Sequence, residues 1–181
     1  GAMKLDFDGD PIPQQKGGGF DGRLTLNTGE IGDLLEVLGL DRDFEGQATL
    51  AADLLYQNRQ LKVSGMKTDI NLSQGQKITA KGSVQDLFKA AGVDATIKAR
   101  LHPKGQPPAP ASDLKDLRLT GVSTHVVSSK NALEFQDLIL TTNAFDEDLN
   151  RIGPVNIGRV FRGDEGNLRL ENISLQAGPV D

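Results

Sequence analysis

Leu61-Lys62-Val63-Ser64-Gly65-Met66-Lys67-Thr68 is one of four versions of a single octet, and its reading decides the fold. The others are Leu117-Arg118-Leu119-Thr120-Gly121-Val122-Ser123-Thr124, Leu133-Glu134-Phe135-Gln136-Asp137-Leu138-Ile139-Leu140 and Leu168-Arg169-Leu170-Glu171-Asn172-Ile173-Ser174-Leu175. Each alternates apolar and polar residues, which in a strand sends successive side chains to opposite faces. At the fifth position stands Gly, Asp or Asn, and the alternation slips there by one residue. These residues best tolerate positive φ, so the slip predicts a bulge or sharp bend inside a long strand.

Working outward, further alternating runs flank the octets. Phe20 to Asn27, Phe44 to Tyr56, Lys77 to Val84, Val93 to Leu101 and Pro154 to Arg162 read as strands, and Lys4 to Phe7 as a strand ended by Pro11 and Pro13. Turn residues such as Asn58 and Gly75 separate neighbours by a few positions, which predicts an antiparallel meander. The octet strands are expected over Gln60 to Ser73, Leu114 to Val127, Ala132 to Thr142 and Asn167 to Gln176. Two segments read as short amphipathic helices. Glu30 to Leu38 places Ile31, Leu34, Leu35 and Leu38 on one side and ends at Gly39; Val84 to Ala91 places Leu87 and Phe88 on one side and ends at Gly92. Ala144 to Ile152 reads as a helical turn or irregular segment. Pro103 to Ser112 holds four prolines and is expected to be an extended, solvated connection. It is either a sub-boundary or a loop within one sheet, and we read 1–181 as a single β-rich module. The expected fold is mainly β, a curved antiparallel sheet with two short amphipathic helices at its edge or end.

The chain has 181 residues, enough for a real core, and its 37% apolar content with 21 Gly excludes a disordered tail. Aromatics at 4% and no Trp suit thin β-layers better than a bulky core. The net charge of −5, with Lys and Arg scattered, offers no basic face for nucleic acid. The absence of Cys removes disulfides, thiolate metal sites and Cys nucleophiles. No apolar run approaches the length of a membrane-spanning helix. Gly1-Ala2-Met3 resembles the remnant of tag cleavage, so the chain is expected to be a piece excised from a longer protein.

Catalytic and metal chemistry find little support. Asp6, Asp8 and Asp10 resemble the start of a calcium loop, but Gly9 and Gly17 occupy the wrong positions for an EF-hand, leaving a solvated acidic turn. Asp146, Glu147 and Asp148 read equally well as charges at a helix start. His102 and His125 have no second imidazole at ligand spacing. Ser128, Ser129 and Lys130 fall in a hairpin turn, where a lysine stays solvated and a Ser–Lys pair is inert. Gly17 to Gly19 lacks the Lys-Ser or Lys-Thr that completes a phosphate loop. We therefore expect no enzyme, no cofactor and no metal.

Leu34 to Leu54, with the octets and the run from Ile78 to Val84, carries a family resemblance. Leu34-Leu35-Glu36-Val37-Leu38-Gly39-Leu40 followed by Phe44-Glu45-Gly46 and a strand to Leu54 is similar to the AsmA-like proteins of Gram-negative envelopes. The resemblance implies a periplasmic chain whose parent protein is anchored in the inner membrane by an N-terminal helix. It implies a long sheet folded like a taco around an apolar groove, kinship with TamB-type and bridge-like lipid transport proteins, and a role in phospholipid traffic and outer-membrane homeostasis. It implies no catalytic residues. The proline-rich connection and the irregular octet spacing depart from the family pattern. The candidate groove face is Leu24, Leu26, Leu50, Leu54, Leu61, Val63, Ile70, Leu72 and Ile78. The expected ligands are phospholipid acyl chains; the alternative is that the apolar faces close on each other in a scaffold that recruits envelope proteins.

Overall fold

The structure, a computed structural model, describes residues 3–32, 45–89, 91–129, 132–144, 150–162 and 168–175. These residues build ten strands: β1 (Lys4–Ile12), β2 (Gly19–Thr28), β3 (Gly46–Gln57), β4 (Gln60–Leu72), β5 (Lys77–Asp86), β6 (Ala91–Arg100), β7 (Leu119–Ser129), β8 (Ala132–Thr142), β9 (Arg151–Arg162) and β10 (Leu168–Leu175). Every strand pairs antiparallel with the next, so sequence order is sheet order, and β1 does not close on β10. A meander needs only short connections, and the turn residues supply them: Asn58 and Arg59, both at positive φ, join β3 to β4.

Two of the four slips fall where the octets place them, one is displaced, and one leaves the register unchanged. Gly65, Asp137 and Asn172 have φ of +58°, +50° and +56°. At Gly65, β4 gains one residue over both neighbours: Val63 faces Val84, whereas Met66 faces Gly82. At Asp137, β8 gains one in the same way. Asn172 of β10 lies opposite Gly158 of β9, and pairing resumes without a register shift at Ile173 and Ile157. In the second octet the slip comes one residue early, at Thr120, between the Leu119–Thr142 and Gly121–Thr141 pairs. Gly121 serves another purpose, because a Cβ there would stand 2.6 Å from Oγ1 of Thr141.

Two expectations are corrected. Val84 to Ala91 is not a helix. Val84 and Asp86 continue β5 and face Val93 and Ala91 of β6, and only a 3-10 turn, η2 (Leu87–Lys89), intervenes. The cause lies in Val84, a β-branched residue buried against Ala52 and Val63, and in Gly92, whose φ of +64° starts β6 within two residues. Of the first expected helix, Ile31 and Gly32 are described and begin a helical turn; Asp33 to Leu38 lies outside the described residues. Finally, Asp6 to Asp10 is strand rather than turn, and β1 runs through Pro11 because an edge strand can spare one N–H.

The proline-rich connection joins β6 to β7 within the sheet, since Ala95 faces Val126 across that pair. It is tethered rather than merely solvated. The Arg100 guanidinium donates to the carbonyls of His102 (2.9 Å) and Gly75 (3.1 Å), and the Asn143 amide donates to the Ala109 carbonyl (2.7 Å). Ala111 bridges to Ala144, both of them buried. A 3-10 turn in this connection, η3 (Leu114–Asp116), replaces the first residues of the strand expected from Leu114.

Candidate functional site

Residues directly opposed in an antiparallel pair point to the same side, so the register sorts every side chain onto a face. Leu26 faces Leu50, Ile70 faces Ile78, and Leu54 faces Val63. Carried across the sheet, one face reads Leu5 and Phe7 on β1 through Ile97 on β6 to Val126, Phe135 and Ile157 on β7 to β9. The opposite face carries the charges. There Arg23 lies 3.4 Å from Asp53, Lys77 2.6 Å from Asp69, and His125 2.8 Å from Asp94. Leu55, Val127 and Ile139 are apolar exceptions on that face.

The structure puts all nine candidate groove residues, Leu24, Leu26, Leu50, Leu54, Leu61, Val63, Ile70, Leu72 and Ile78, on the apolar face. Leu26 and Val63 are buried and the other seven are half-buried. The core is correspondingly shallow. Ala52, Val63 and Val84 form its centre, with Leu50, Leu54, Met66 and Val93 packed around them. No side chain among the described residues falls below 2% exposure. A two-layer domain buries its apolar face against a second layer. Here the described elements touch chiefly their sheet neighbours, and η2 against β4 is the notable exception.

Polar groups on the apolar face are satisfied locally, as burial demands. The Thr124 hydroxyl donates to the Gln136 carbonyl at 3.0 Å, next to the β8 bulge. Asp86 is buried at the end of β5, where its carboxylate accepts the Phe88 N–H (3.1 Å) and lies 3.3 Å from the Lys89 ammonium. That arrangement folds η2 back over the end of β4, and it brings Phe88 to Tyr56 at a ring distance of 6.2 Å. Tyr56 in turn meets Phe20 (5.5 Å), and Phe20 meets Phe7 (5.4 Å, edge to face). This row of four rings closes one end of the apolar face. Sequence reasoning missed it, although Phe20 near the start of β2 and Tyr56 near the end of β3 were legible as a cross-strand pair once the hairpin register was set.

The remaining candidates separate. Asp6, Asp8 and Asp10 share the polar side of an extended strand, and Asp6 pairs with Lys4 at 2.9 Å. Among the described residues no three His, Asp or Glu side chains gather in a way that could hold a metal. The Ser128 hydroxyl accepts the Val93 N–H at 2.8 Å and so completes the ladder between β6 and β7; Lys130 lies outside the described residues, as do Asp146, Glu147 and Asp148. A depression of about 280 Å³ lies beside Asp137 and Asn172, lined by Glu134, Gln136, Asp137, Asn156 and Asn172 with Phe135 and Ile157. No described helix is long and apolar enough to cross a membrane. Comparison with family models, with curated proteins and with solved structures finds no match to this chain.

Proposed function

We propose that this chain is a non-catalytic, lipid-binding module in which the apolar face of the sheet curves into a groove for phospholipid acyl chains. One observation carries it: a ten-stranded open sheet is apolar on one face and charged on the other, and no second layer of described residues lies on the apolar side. Twist and bulges bend strands, and the register shifts at Gly65, Thr120 and Asp137 favour a curved, taco-like sheet over a flat one. Acyl chains suit such a face because they ask for area rather than for directed polar groups. Each sequestered methylene contributes about 0.8 kcal/mol, so a groove sheltering roughly ten of them gains several kcal/mol.

The resemblance to AsmA-like proteins supports the same reading and supplies its setting: a periplasmic part of an envelope protein anchored in the inner membrane, serving lipid transport and outer-membrane biogenesis. A second reading, a scaffold that recruits envelope partners, is favoured by β1. That strand is exposed along most of its length, and its outer edge is unpaired among the described residues.

The test is uptake of a fluorescent phospholipid from vesicles, followed by separation of protein from vesicle. Leu54→Asp and Ile70→Asp, on half-buried positions of the apolar face, are expected to abolish uptake, and Thr96→Asp on the charged face to leave it intact. Equal uptake by all three variants would sink the groove.

A further inference from the structure

We infer that the end of the sheet bearing η1 (Gln14–Lys16), the β3–β4 turn and η2 docks on an anionic phospholipid bilayer, and that the aromatic row is its contact edge. Two independent features meet there. The first is the row itself. Of the seven Phe and one Tyr in the chain, Phe7, Phe20, Tyr56 and Phe88 assemble at this one end. The row is not buried as a core would be: Phe88 is 67% exposed, Phe7 48% and the neighbouring Leu87 49%. Phe7 also lies over the opposed pair Gly9 and Gly22, so its ring is held in place rather than free to fold inward. Fixed rings with an apolar body, Tyr56 adding a hydroxyl, suit the headgroup boundary of a bilayer better than they suit water.

The second feature is charge. Five connections lie at this end of the meander, and the three beside the aromatic row each carry a cation and no carboxylate: Lys16 in η1, Arg59 in the β3–β4 turn and Lys89 in η2. All three residues are exposed. The nearest carboxylates do not oppose them on the contact edge. Asp86 is buried beneath Lys89, while Asp10 and Asp21 face each other on the charged side of the sheet. The β9–β10 connection, whose sequence includes Asp164 and Glu165, follows β9, three strands beyond β6 in the sheet order. At the opposite end the β2–β3 connection holds Glu30, Asp33, Glu36, Asp41, Asp43 and Glu45 against Arg42 alone, and the β8–β9 connection adds Asp146, Glu147 and Asp148. The β6–β7 connection at that end sets Lys104, Lys115 and Arg118 against Asp113 and Asp116, so the two ends differ in carboxylates and aromatic rings rather than in number of cations. A chain of net charge −5 that gathers aromatic rings at one end and most of its loop carboxylates at the other has an oriented surface, and an anionic bilayer matches the first end and is repelled by the second. The row is continuous with the apolar face through Phe7 beside Leu24 and Tyr56 beside Leu61. Docking would therefore set one mouth of the proposed groove against the lipid; that consequence rests on the groove reading, whereas the docking does not.

Flotation of the whole chain with vesicles tests it. Vesicles of phosphatidylcholine with phosphatidylglycerol are expected to carry the protein upward, and pure phosphatidylcholine vesicles or high salt to leave it behind. Phe88→Ser with Phe7→Ser, or Lys16→Glu with Arg59→Glu and Lys89→Gln, is expected to weaken binding by more than about tenfold. Lys104→Glu with Lys115→Glu, at the opposite end, is expected to change nothing. No flotation on anionic vesicles, or equal loss from the opposite-end variant, overturns the inference. Native mass spectrometry of the same variants separates the two proposals. End variants that stop floating yet keep bound lipid uphold docking at this end; flotation through these residues by a protein that never holds lipid upholds docking and removes the groove.

Discussion

The two faces of the sheet are made by the same strands and obey different physics. On the charged face, Arg23–Asp53, Lys77–Asp69 and His125–Asp94 are cross-strand pairs open to water. Such pairs are screened and individually weak. On the apolar face, Ala52, Val63 and Val84 meet in a shallow cluster, Leu26, Ala48, Ala95 and Val126 are buried beside it, and most of their neighbours remain half-exposed. The buried apolar positions are thus mostly small residues, and the larger side chains around them stay partly open, leaving a surplus of exposed apolar area. That surplus is what distinguishes a binding surface from a folding core.

The largest expected effect breaks the apolar face at its centre. Val63→Asp buries a carboxylate between Ala52 and Val84 and is expected to cost about 3 kcal/mol or more, measured by urea unfolding. A cost near zero would mean the cluster is not the core.

An intermediate effect sharpens the role of the slips. Gly65 has φ +58°, and a Cβ there would meet the Asp53 carboxylate at 2.8 Å. Gly65→Val is expected to lose about 1–2 kcal/mol, because a β-branched residue resists left-handed backbone. Gly65→Asn should lose far less, since Asp137 and Asn172 already hold φ of +50° and +56° at the matching octet position. Equal losses for Val and Asn would show that contact with Asp53, not backbone conformation, selects glycine.

The smallest effect belongs to the charged face. Arg23→Ala removes a partner from a pair in which both side chains are more than half exposed, and is expected to shift stability by less than about 1 kcal/mol in a double-mutant cycle with Asp53→Ala. A larger coupling would mean that the two faces are not as unequal as they look.

The meander, the strand count and the slips were legible in the sequence because they depend on local rules: alternation, turn residues, and the few side chains that accept positive φ. The face assignment followed from the same alternation, which is why the nine candidate groove residues fall together. What failed depended on partners distant in sequence. Val84 to Ala91 carries helical spacing, yet Val84 is claimed by Val63 across the sheet and Asp86 by its own turn. The early slip at Thr120 is set by how β7 meets Thr141 and Thr142 of β8, which no pattern within the octet records. The aromatic row was missed because Phe7, Phe20, Tyr56 and Phe88 become neighbours only after three hairpin registers and the fold of η2 are fixed.

The most direct test of the apolar face as a lipid surface is native mass spectrometry of the chain purified from bacteria without detergent. The expected result is a population carrying phospholipid, lost in Leu54→Asp and Ile70→Asp proteins that still unfold cooperatively. A clean apo mass that takes up no added phospholipid would contradict the groove and leave the sheet as a scaffold.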